Sequence, residues 1–476
     1  MPARFLLILV FLSNSVAIAQ DQDRPNILFF LSDDQRADFM GCAGHSILQT
    51  PTMDRLAAQG VRFENAFVTT SICAASRASI LTGLHERTHK YTFGTPPISK
   101  PHSEASYPAI LKQAGYRTGF VGKFGVSVGK GGAENMFDVF KPLNRNPYHK
   151  LQDDGSRRHL SEIAGDHAIE FLKGSARGTP FCLSVSFNAP HAEDGDKQNH
   201  YPWPVVVDGL YEDISIPAPR HWHSSVFEGQ PEFLRESMNR DRWFWRWDTP
   251  TKYEKNVKAY YRMISGIDQV MGRVLAALKK QGFAENTVVI FSGDNGYYKG
   301  SRGFAGKWSH YEESLRVPLI VFDPRNKANP GKLNDNHVLN IDIPATILKC
   351  AGVDLPKHYQ GASLMPFVNE ATLISWRKRS FHEHLFDNTN IPKWEGIRGE
   401  RYVYARYFQQ SPPFEFLHDL KVDPDQLRNF AKDPKYVQVL ARMRQHCESA
   451  INQYGSSYSL EDYPTKRYLK AQKARE

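Results

Sequence analysis

Alternation between buried-type apolar runs and helical patterns is the feature that most constrains how this chain folds. Strand-like apolar runs occur at residues 26–31, 118–121, 181–187, 287–291 and 317–322. Helical patterns separate them, at residues 52–59, 108–114, 163–172 and 253–280. Strands that alternate with helices favour an α/β fold, in which helices sandwich a large mixed, mainly parallel sheet.

The chain has 476 residues, a length that predicts one large domain and a smaller one. We assign the large N-terminal domain to residues 20–360. Residues 401–407 alternate with period two, as expected of a strand with one solvent-facing side, and a helical pattern follows at 436–454. These patterns predict a smaller C-terminal α+β subdomain with an antiparallel sheet at 361–460, followed by a charged tail at 461–476.

Residues 192–248 interrupt the alternation of strands and helices. Five of the eight tryptophans fall in this stretch, together with many prolines: Trp203, Trp222, Trp243, Trp245 and Trp247. We interpret it as a long excursion from the core that lines a substrate cleft. The alternative is a surface subdomain packed on itself, since long structured loops are often but not always functional.

The N-terminus has the pattern of a secretory signal peptide. A short start containing Arg4 precedes an apolar run at 5–16 and an Ala-Ile-Ala ending at 17–19. Ser13 and Ser15 interrupt the run, which makes a membrane anchor a poorer interpretation. We therefore expect residues 1–19 to be removed and the protein to be exported, either to the periplasm or out of the cell.

The net charge indicates which partners the chain can bind, and the cysteine count indicates how its thiols are used. The net charge is +9, with 60 basic and 51 acidic residues, which favours an anionic partner. No basic run typical of nucleic-acid binding is present, so we expect no nucleic-acid partner, and a sulfated polymer fits the charge. Five cysteines are an odd number for an exported chain, so one thiol is either free or used for chemistry.

Polar clusters directly follow four of the predicted strands. They are Asp33-Asp34, Gly122-Lys123, Asn188-Ala-Pro-His191 and Asp294-Asn295. Ligands bind at the carboxyl ends of strands in open α/β sheets, so these groups are expected to meet in one crevice. An Asp-Asp pair alone is more often a turn or a helix cap, but together the four oxygen donors suit Ca²⁺ or Mg²⁺ better than zinc or copper.

The segment Cys73-Ala-Ala-Ser-Arg77 is the most informative motif. Cys73 precedes a helical segment, and Arg77 follows one turn later on the same face. A helix N-terminus attracts anions, and an arginine adds a planar fork for oxyanions. The alternative interpretation of a single cysteine is a small buried hydrophobic residue.

This motif, continued by Ala-Ser-Ile-Leu-Thr-Gly83, resembles the signature of the type I, formylglycine-dependent sulfatases, in particular bacterial polysaccharide and glycosaminoglycan sulfatases. Further segments fit the family in order, from residue 24 to residue 434: 115–123, Pro190-His191, Gly306-Lys307, 311–318, 342–346 and 417–424. The resemblance implies an alkaline-phosphatase-like fold and makes 20–360 the catalytic sulfatase domain.

The resemblance also implies a mechanism and its residues. A formylglycine-generating enzyme would oxidise Cys73 to an aldehyde, whose hydrate is the nucleophile. The implied ligands of Ca²⁺, or of Mg²⁺, are Asp33, Asp34, Cys73, Asp294 and Asn295. The implied groups that act on the substrate are Arg77, which steadies the hydrate, Lys123 and Lys307, which bind sulfate oxygens, and His191 or Lys307, which serves the leaving oxygen.

Three positions depart from the usual family pattern. Ala75 replaces the proline of the first signature, and Gly125 stands where the second signature usually has a histidine that helps to release sulfate. Arg302 stands where many members have a histidine before the later lysine. We interpret these changes as marks of a subfamily.

The expected substrate is a sulfated carbohydrate, either a polysaccharide or an oligosaccharide. Four further residues are candidate substrate contacts: Trp308, His384, Trp394 and Arg398. One alternative is a phosphoester hydrolase of the same superfamily, since a metal with Arg and Lys serves phosphate equally well. The other is a non-catalytic protein that binds sulfated glycans, which the intact Cys73 and Arg77 argue against.

Overall fold

A computed structural model describes residues 24–326, 330–369 and 375–473. The predicted signal peptide lies outside these residues. Within them, no helix combines the length and the apolar character that crossing a membrane requires. The five cysteines are all unpaired, and four of them are buried.

An eight-stranded sheet forms the centre of the molecule. Its strands are β1 (Asn26–Ser32), β2 (Val61–Phe67), β3 (Arg117–Gly122), β4 (Val139–Pro142), β7 (Phe181–Ser186), β8 (Thr287–Gly293), β9 (Leu319–Phe322) and β10 (Lys332–Leu339). The order across the sheet is β10-β2-β9-β8-β1-β7-β3-β4. Only β9 runs antiparallel to its neighbours, so the predicted mixed, mainly parallel sheet is confirmed. A separate pair, β5 (His149–Leu151) and β6 (Arg157–His159), is antiparallel.

Helices cover both faces of the sheet, as a parallel sheet requires. The larger helices are α1 (Pro51–Gln59), α2 (Cys73–Thr82), α5 (Tyr107–Gln113), α7 (Leu160–Lys173), α10 (Met238–Arg246), α11 (Pro250–Lys280), α13 (Asp342–Cys350) and α15 (Val437–Tyr454). The shorter ones are α3 (Glu86–His89), α4 (Lys100–Glu104), α6 (Gly132–Met136), α8 (Ser224–Glu228), α9 (Glu232–Arg235), α12 (Glu312–Leu315), α14 (Met365–Val368) and α16 (Lys466–Lys473). Successive residues of β1 alternate between two cores: Phe29 packs with α2 and α13, while Phe30 packs with α7 and α11.

The C-terminal subdomain is a four-stranded antiparallel sheet. Its strands follow in sequence order: β11 (Arg379–His384), β12 (Trp394–Gly399), β13 (Tyr402–Tyr407) and β14 (Phe414–Asp419). The expectation that one side of the 401–407 strand faces solvent is wrong. Tyr404 packs under α15, and Ala405 and Tyr407 on the other side pack against the main core, so both faces of the sheet are covered.

Part of the predicted tail is folded. Tyr463 is buried, its hydroxyl donates a 3.2 Å hydrogen bond to the backbone oxygen of Glu86, and α16 follows it. The last three residues of the chain lie outside the described ranges.

Candidate active site

Four neighbouring strands bring the predicted polar clusters together. β8, β1, β7 and β3 are adjacent and parallel, so their carboxyl ends share one edge of the sheet. In register, Ser32 at the end of β1 pairs with Gly293 of β8, and the residues that follow them are Asp33 and Asp294. Lys123 follows β3 directly, which places a cation at the same edge.

The acidic cluster, which comprises Asp33, Asp34, Asp294 and Asn295, is wholly buried. The Asn295 side-chain nitrogen donates to Asp34 Oδ1 at 2.6 Å, and the backbone N–H of Asp34 donates to Asp294 Oδ1 at 3.2 Å. Burial and the nearby Asp33 raise the pKa of Asp294 to about 6. For Asp33 burial acts in the same sense, but Lys123, Arg77 and Lys307 lower its pKa to about 2.

Unpartnered oxygens in the acidic cluster identify a cation site. Asp33 Oδ1, Asp34 Oδ2 and Asn295 Oδ1 are all buried and accept no hydrogen bond. Such groups cost free energy unless a donor or a cation satisfies them. Hard oxygen donors without a histidine or thiolate majority suit Ca²⁺ or Mg²⁺, so the residues fit the ion that the sequence predicts.

Cys73 begins helix α2 beside this cluster. Its Sγ lies within 4.8 Å of carboxylate oxygens of Asp33 and Asp294. No side chain caps the helix start, so its first N–H groups are left without a side-chain partner. Arg77, one turn later, donates from Nε to Asp294 Oδ2 at 2.8 Å and from Nη1 to the backbone oxygen of Lys123 at 2.7 Å. The arginine thus ties the helix to two strand ends.

Two lysines pair with the cluster. Lys123 Nζ contacts Asp33 Oδ2, and Lys307 Nζ contacts Asp34 Oδ1. Burial alone would lower the pKa of Lys307. Asp34, Cys73 and the carboxylates of Asp33 and Asp294 raise it further than burial lowers it, so Lys307 stays charged. Both lysines line the cavity described below.

His191 completes the site on the β7 side. Its Nε2 lies 3.6 Å from Asp34 Oδ2, and its Nδ1 contacts the guanidinium of Arg145. Burial and the charge of Arg145 hold the pKa of His191 well below its usual range, so the imidazole is neutral at pH 7. Nδ1 also lies 2.8 Å from the backbone oxygen of Ala192.

A cavity of about 890 Å³ opens over these groups. Cys73, Lys123, His191, Lys307 and Trp308 all line it. The 192–248 excursion contributes Asp194, Met238 and Arg242 to its wall, but none of the five tryptophans. The expectation that this excursion lines a cleft therefore holds for its charged residues, while Trp247 is packed in the core against Tyr201.

Three of the predicted substrate contacts lie away from the cavity. His384 is fully buried at the end of β11, and the Trp394 indole donates to the backbone oxygen of Trp308 at 2.7 Å from inside the core. Arg398 pairs with Glu312 at 2.9 Å and stacks over the Phe67 ring. All three lie on strands β11 and β12 of the C-terminal sheet, which is buried on both faces, so these side chains are used for internal contacts.

Gly125 explains one departure from the usual signature. Its φ of +69° lies in the left-handed region, and a Cβ atom there would lie 2.8 Å from Cδ of Arg77. In this backbone conformation a histidine at 125 would displace the arginine. Arg302, another of the three departures, is buried away from the cavity and donates to Glu313 at 2.9 Å.

Arg145, Asp194 and Arg242 are cavity residues that sequence reasoning missed. Arg145 lies in the loop between β4 and β5, and the other two lie in the 192–248 excursion. None belongs to a recognisable motif. The only available signal was the position of Asp194 three residues after His191.

Together these groups define a hydrolase for esters of strong oxyacids, because such a substrate needs cations for its anion and a proton donor for its leaving oxygen. A sequence model of the Sulfatase family matches residues 25–353, and a second, described as N-sulphoglucosamine sulphohydrolase, C-terminal, matches residues 300–453. The chain belongs to the sulfatase family and is a sulfuric ester hydrolase.

Individual relatives agree with the family assignment. An N-acetylglucosamine-6-O-sulfatase of Bacteroides thetaiotaomicron is 27% identical, and the alignment covers 95% of this chain and 91% of the relative. A solved protein in complex with its substrate D-glucosamine-2-N,6-O-disulfate aligns with a TM-score of 0.79 at 25% identity, over 90% of this chain and 98% of that one. The phosphonate monoester hydrolase of Agrobacterium radiobacter shares the fold, with a TM-score of 0.76 at 21% identity over 90% and 96% of the two chains.

Proposed function

We propose that this enzyme removes sulfate esters from sulfated glucosamine units of an oligosaccharide or polysaccharide. The observation that carries the proposal is the set of unpartnered buried oxygens beside Cys73, under a cavity lined by lysines. The relatives that act on sulfated glucosamine support the sugar class. The cavity, at about 890 Å³, has room for more than one sugar ring.

Asp33, Asp34, Asp294 and Asn295 would hold Ca²⁺, or Mg²⁺, through the oxygens that lack a hydrogen-bond partner. When bound, such a cation polarises a sulfate oxygen and the nucleophile as a Lewis acid. Cys73, once oxidised to formylglycine, supplies a hydroxyl nucleophile in place of its thiol. Arg77 fixes the position of this residue, since it is bonded to Asp294 and to the backbone of Lys123.

Lys123 and Lys307 bind the sulfate group. Both ammonium groups line the cavity beside the acidic cluster, Lys307 buried and Lys123 partly exposed. Fixed cations in such a site stabilise the charge that develops on sulfate oxygens in the transition state.

His191 binds the leaving sugar oxygen. The imidazole is neutral at pH 7, its Nδ1 contacts Arg145 and the backbone oxygen of Ala192, and its Nε2 faces Asp34. A neutral imidazole stabilises the developing charge by hydrogen bonding, and the charged ammonium of Lys307, which lines the same cavity, is the group with a proton to give.

Export and maturation complete the proposal. The pattern at residues 1–19 would direct the chain out of the cytoplasm, where polymeric sulfated glycans are accessible. Oxidation of Cys73 would require a formylglycine-generating enzyme in the host.

The test is free sulfate released from glucosamine-6-sulfate, from longer sulfated glycans and from the matching phosphate esters. The protein is made in a host that carries the oxidising enzyme, and the mass of the Cys73 peptide reports the conversion. We expect sulfate release from the sugars and none from Cys73→Ala. Phosphate release exceeding sulfate release would instead assign a phosphoesterase, and binding without turnover would assign a glycan-binding protein.

A further inference from the structure

A second cationic centre lies in the cavity wall, separate from Lys123 and Lys307. It consists of Arg145 and Arg242, which approach the carboxylate of Asp194 at 3.6 Å and 3.1 Å. Both arginines line the cavity, and their side chains keep 23% and 15% of their surface exposed there. Arg242 takes no part in the sulfate cleavage described above, while Arg145 contacts His191 from the side away from the acidic cluster.

The charges at this centre do not balance. Arg246, which is fully buried behind the wall, also pairs with Asp194, so three guanidinium groups share one carboxylate. Glu193, which directly precedes Asp194, makes no ion pair with the three arginines. Its carboxylate faces the side-chain amide of Asn146. The Nε atoms of Arg145 and Arg242 are buried without a hydrogen-bond partner. Asp33 and Glu193 act on Arg145 only beyond ion-pair distance. An anion bound at the partly exposed guanidinium groups would neutralise the remaining positive charge.

Neighbouring groups hold these guanidinium groups in place. Arg242 stacks over the indole of Trp308, with 4.9 Å between Cζ and the ring centroid. Arg145 contacts His191, whose other nitrogen faces Asp34. A planar fork held in a fixed orientation is the usual arrangement for binding sulfate or carboxylate in proteins.

We propose that Arg145 and Arg242 bind a second anionic group of the substrate, so that the enzyme selects sugars that carry a sulfate or carboxylate besides the ester it cleaves. The inference rests on the proposed function. Because His191 connects the two centres, the second group lies on the same sugar as the cleaved ester or on the sugar joined to it. A sulfate and a carboxylate offer the guanidinium groups the same chemistry. Substrates that carry the second group on the same sugar or on the adjoining sugar distinguish the two positions.

Arg242 provides the cleaner test, since Arg145 touches His191. Sulfate release is measured on three substrates: glucosamine-6-sulfate, its 2-N-sulfated form, and a disaccharide that joins the 6-sulfated glucosamine to a uronic acid. We expect kcat/KM of the native enzyme to be about 10- to 100-fold higher for one of the two doubly anionic substrates, the range of a charge-assisted hydrogen bond. In Arg242→Met this ratio falls towards one, while turnover of glucosamine-6-sulfate stays within about threefold, because the variant keeps the reacting groups.

Two further variants control the result. Arg242→Lys retains a charge and should restore part of the preference, mainly through KM. Arg235→Gln removes an exposed charge from the neighbouring α9 and should leave the preference unchanged. Thermal unfolding of each variant shows whether it is folded. The proposal is overturned if the native enzyme shows no preference, or if Arg242→Met lowers kcat/KM equally for all three substrates.

A binding experiment separates this proposal from the proposed function. If the native enzyme releases no sulfate from any substrate, the proposed function fails, but calorimetry with Cys73→Ala still measures affinity for the three sugars. Tighter binding of a doubly anionic sugar that is lost in the double variant with Arg242→Met supports the second anion site. Equal affinities for all three sugars contradict it.

Discussion

Two buried charge clusters in this molecule differ in how fully their polar atoms are satisfied. In the acidic cluster, three oxygens on Asp33, Asp34 and Asn295 have no partner. In a second cluster, the Arg87 network, which comprises Glu86, Arg87, Glu383, Glu395 and Arg406, the partners are nearly complete. Arg87 donates to Glu383 at 2.9 Å and to Glu395 at 2.7 Å.

The Arg87 network joins α3 to the strands of the C-terminal sheet. Each carboxylate oxygen of Glu383 and Glu395 accepts at least one hydrogen bond from Arg87 or Arg406. Its single unpartnered oxygen, on Glu86, belongs to a carboxyl whose pKa burial and Glu383 raise to about 8, so it is protonated at pH 7. Burial of charge alone therefore does not identify a site. What identifies a site is a group of buried oxygens that converge without hydrogen-bond donors, as in the acidic cluster.

Asp34→Asn should have the largest effect on activity. Asn fits the left-handed φ of 60° at this position, and its Oδ1 can keep the hydrogen bond from Asn295. The substitution replaces an unpartnered oxygen with a donor and removes one charge. We expect sulfate release to fall on the order of 10²- to 10³-fold, as for loss of one electrostatic group at a reacting centre.

Thermal unfolding of Asp34→Asn tests whether the acidic cluster contributes to the stability of the fold. The substitution relieves repulsion among the carboxylates but weakens the buried ion pair with Lys307, so the melting temperature in metal-free buffer should change less than for Arg87→Met below. A large destabilisation with activity retained would show that the cluster is structural.

Arg87→Met should have the opposite effect. It leaves Glu383 and Glu395 buried without their cation, a change that costs about 3–5 kcal/mol of unfolding free energy in buried pairs. Denaturant unfolding measures this loss, and the activity per folded molecule should be unchanged because Arg87 does not line the cavity. Arg444→Met, which removes a half-exposed partner of Glu415, is the matched control and should cost less than about 1 kcal/mol.

The contrast also shows what the sequence could predict. The acidic cluster follows strands β1 and β8, so strand patterns and the rule for strand ends located it. The Arg87 network joins residues nearly 300 positions apart, on α3 and β11, and no local pattern reports such a contact. The same limit applies to Arg145, which reaches the cavity from a loop, and to Arg242, which reaches it from helix α10. It applies also to Arg398, whose burial depends on a second packing face of its sheet.

Glu86→Gln sharpens the comparison through pH. The carboxyl is deprotonated in the unfolded chain above its ordinary pKa of 4.5 but stays protonated in the fold up to about pH 8. Folding therefore takes up a proton between these values, and the free energy of unfolding falls as pH rises through this interval. Removing the titration should flatten the profile by up to about 1.4 kcal/mol per pH unit.

The difference between native protein and Glu86→Gln isolates this group, since the buried histidines contribute equally to both. The variant should match the native protein near pH 4.5 and exceed it in stability at pH 8. Parallel profiles for the two proteins would show that Glu86 is ionised in the fold.

Gly125→Ala should give the smallest effect. It tests the acidic cluster indirectly, through Arg77, which donates to Asp294. An alanine at φ +69° costs roughly 1–2 kcal/mol wherever the backbone is left-handed. At this position its Cβ also presses on Arg77, which is bonded to Asp294 and to the backbone of Lys123. A small displacement of a positioning group lowers turnover, and we expect a loss of about tenfold.

Gly155→Ala is the matched control, because Gly155 has a φ of +80° and open space around it. Both variants should lose similar stability by denaturant unfolding, and only Gly125→Ala should lose activity. Equal activities would mean that Arg77 tolerates the added methyl group, in which case the missing histidine at 125 is not explained by the space that Arg77 occupies. A loss confined to Gly125→Ala would show that this chain keeps a glycine there to hold its arginine against the acidic cluster.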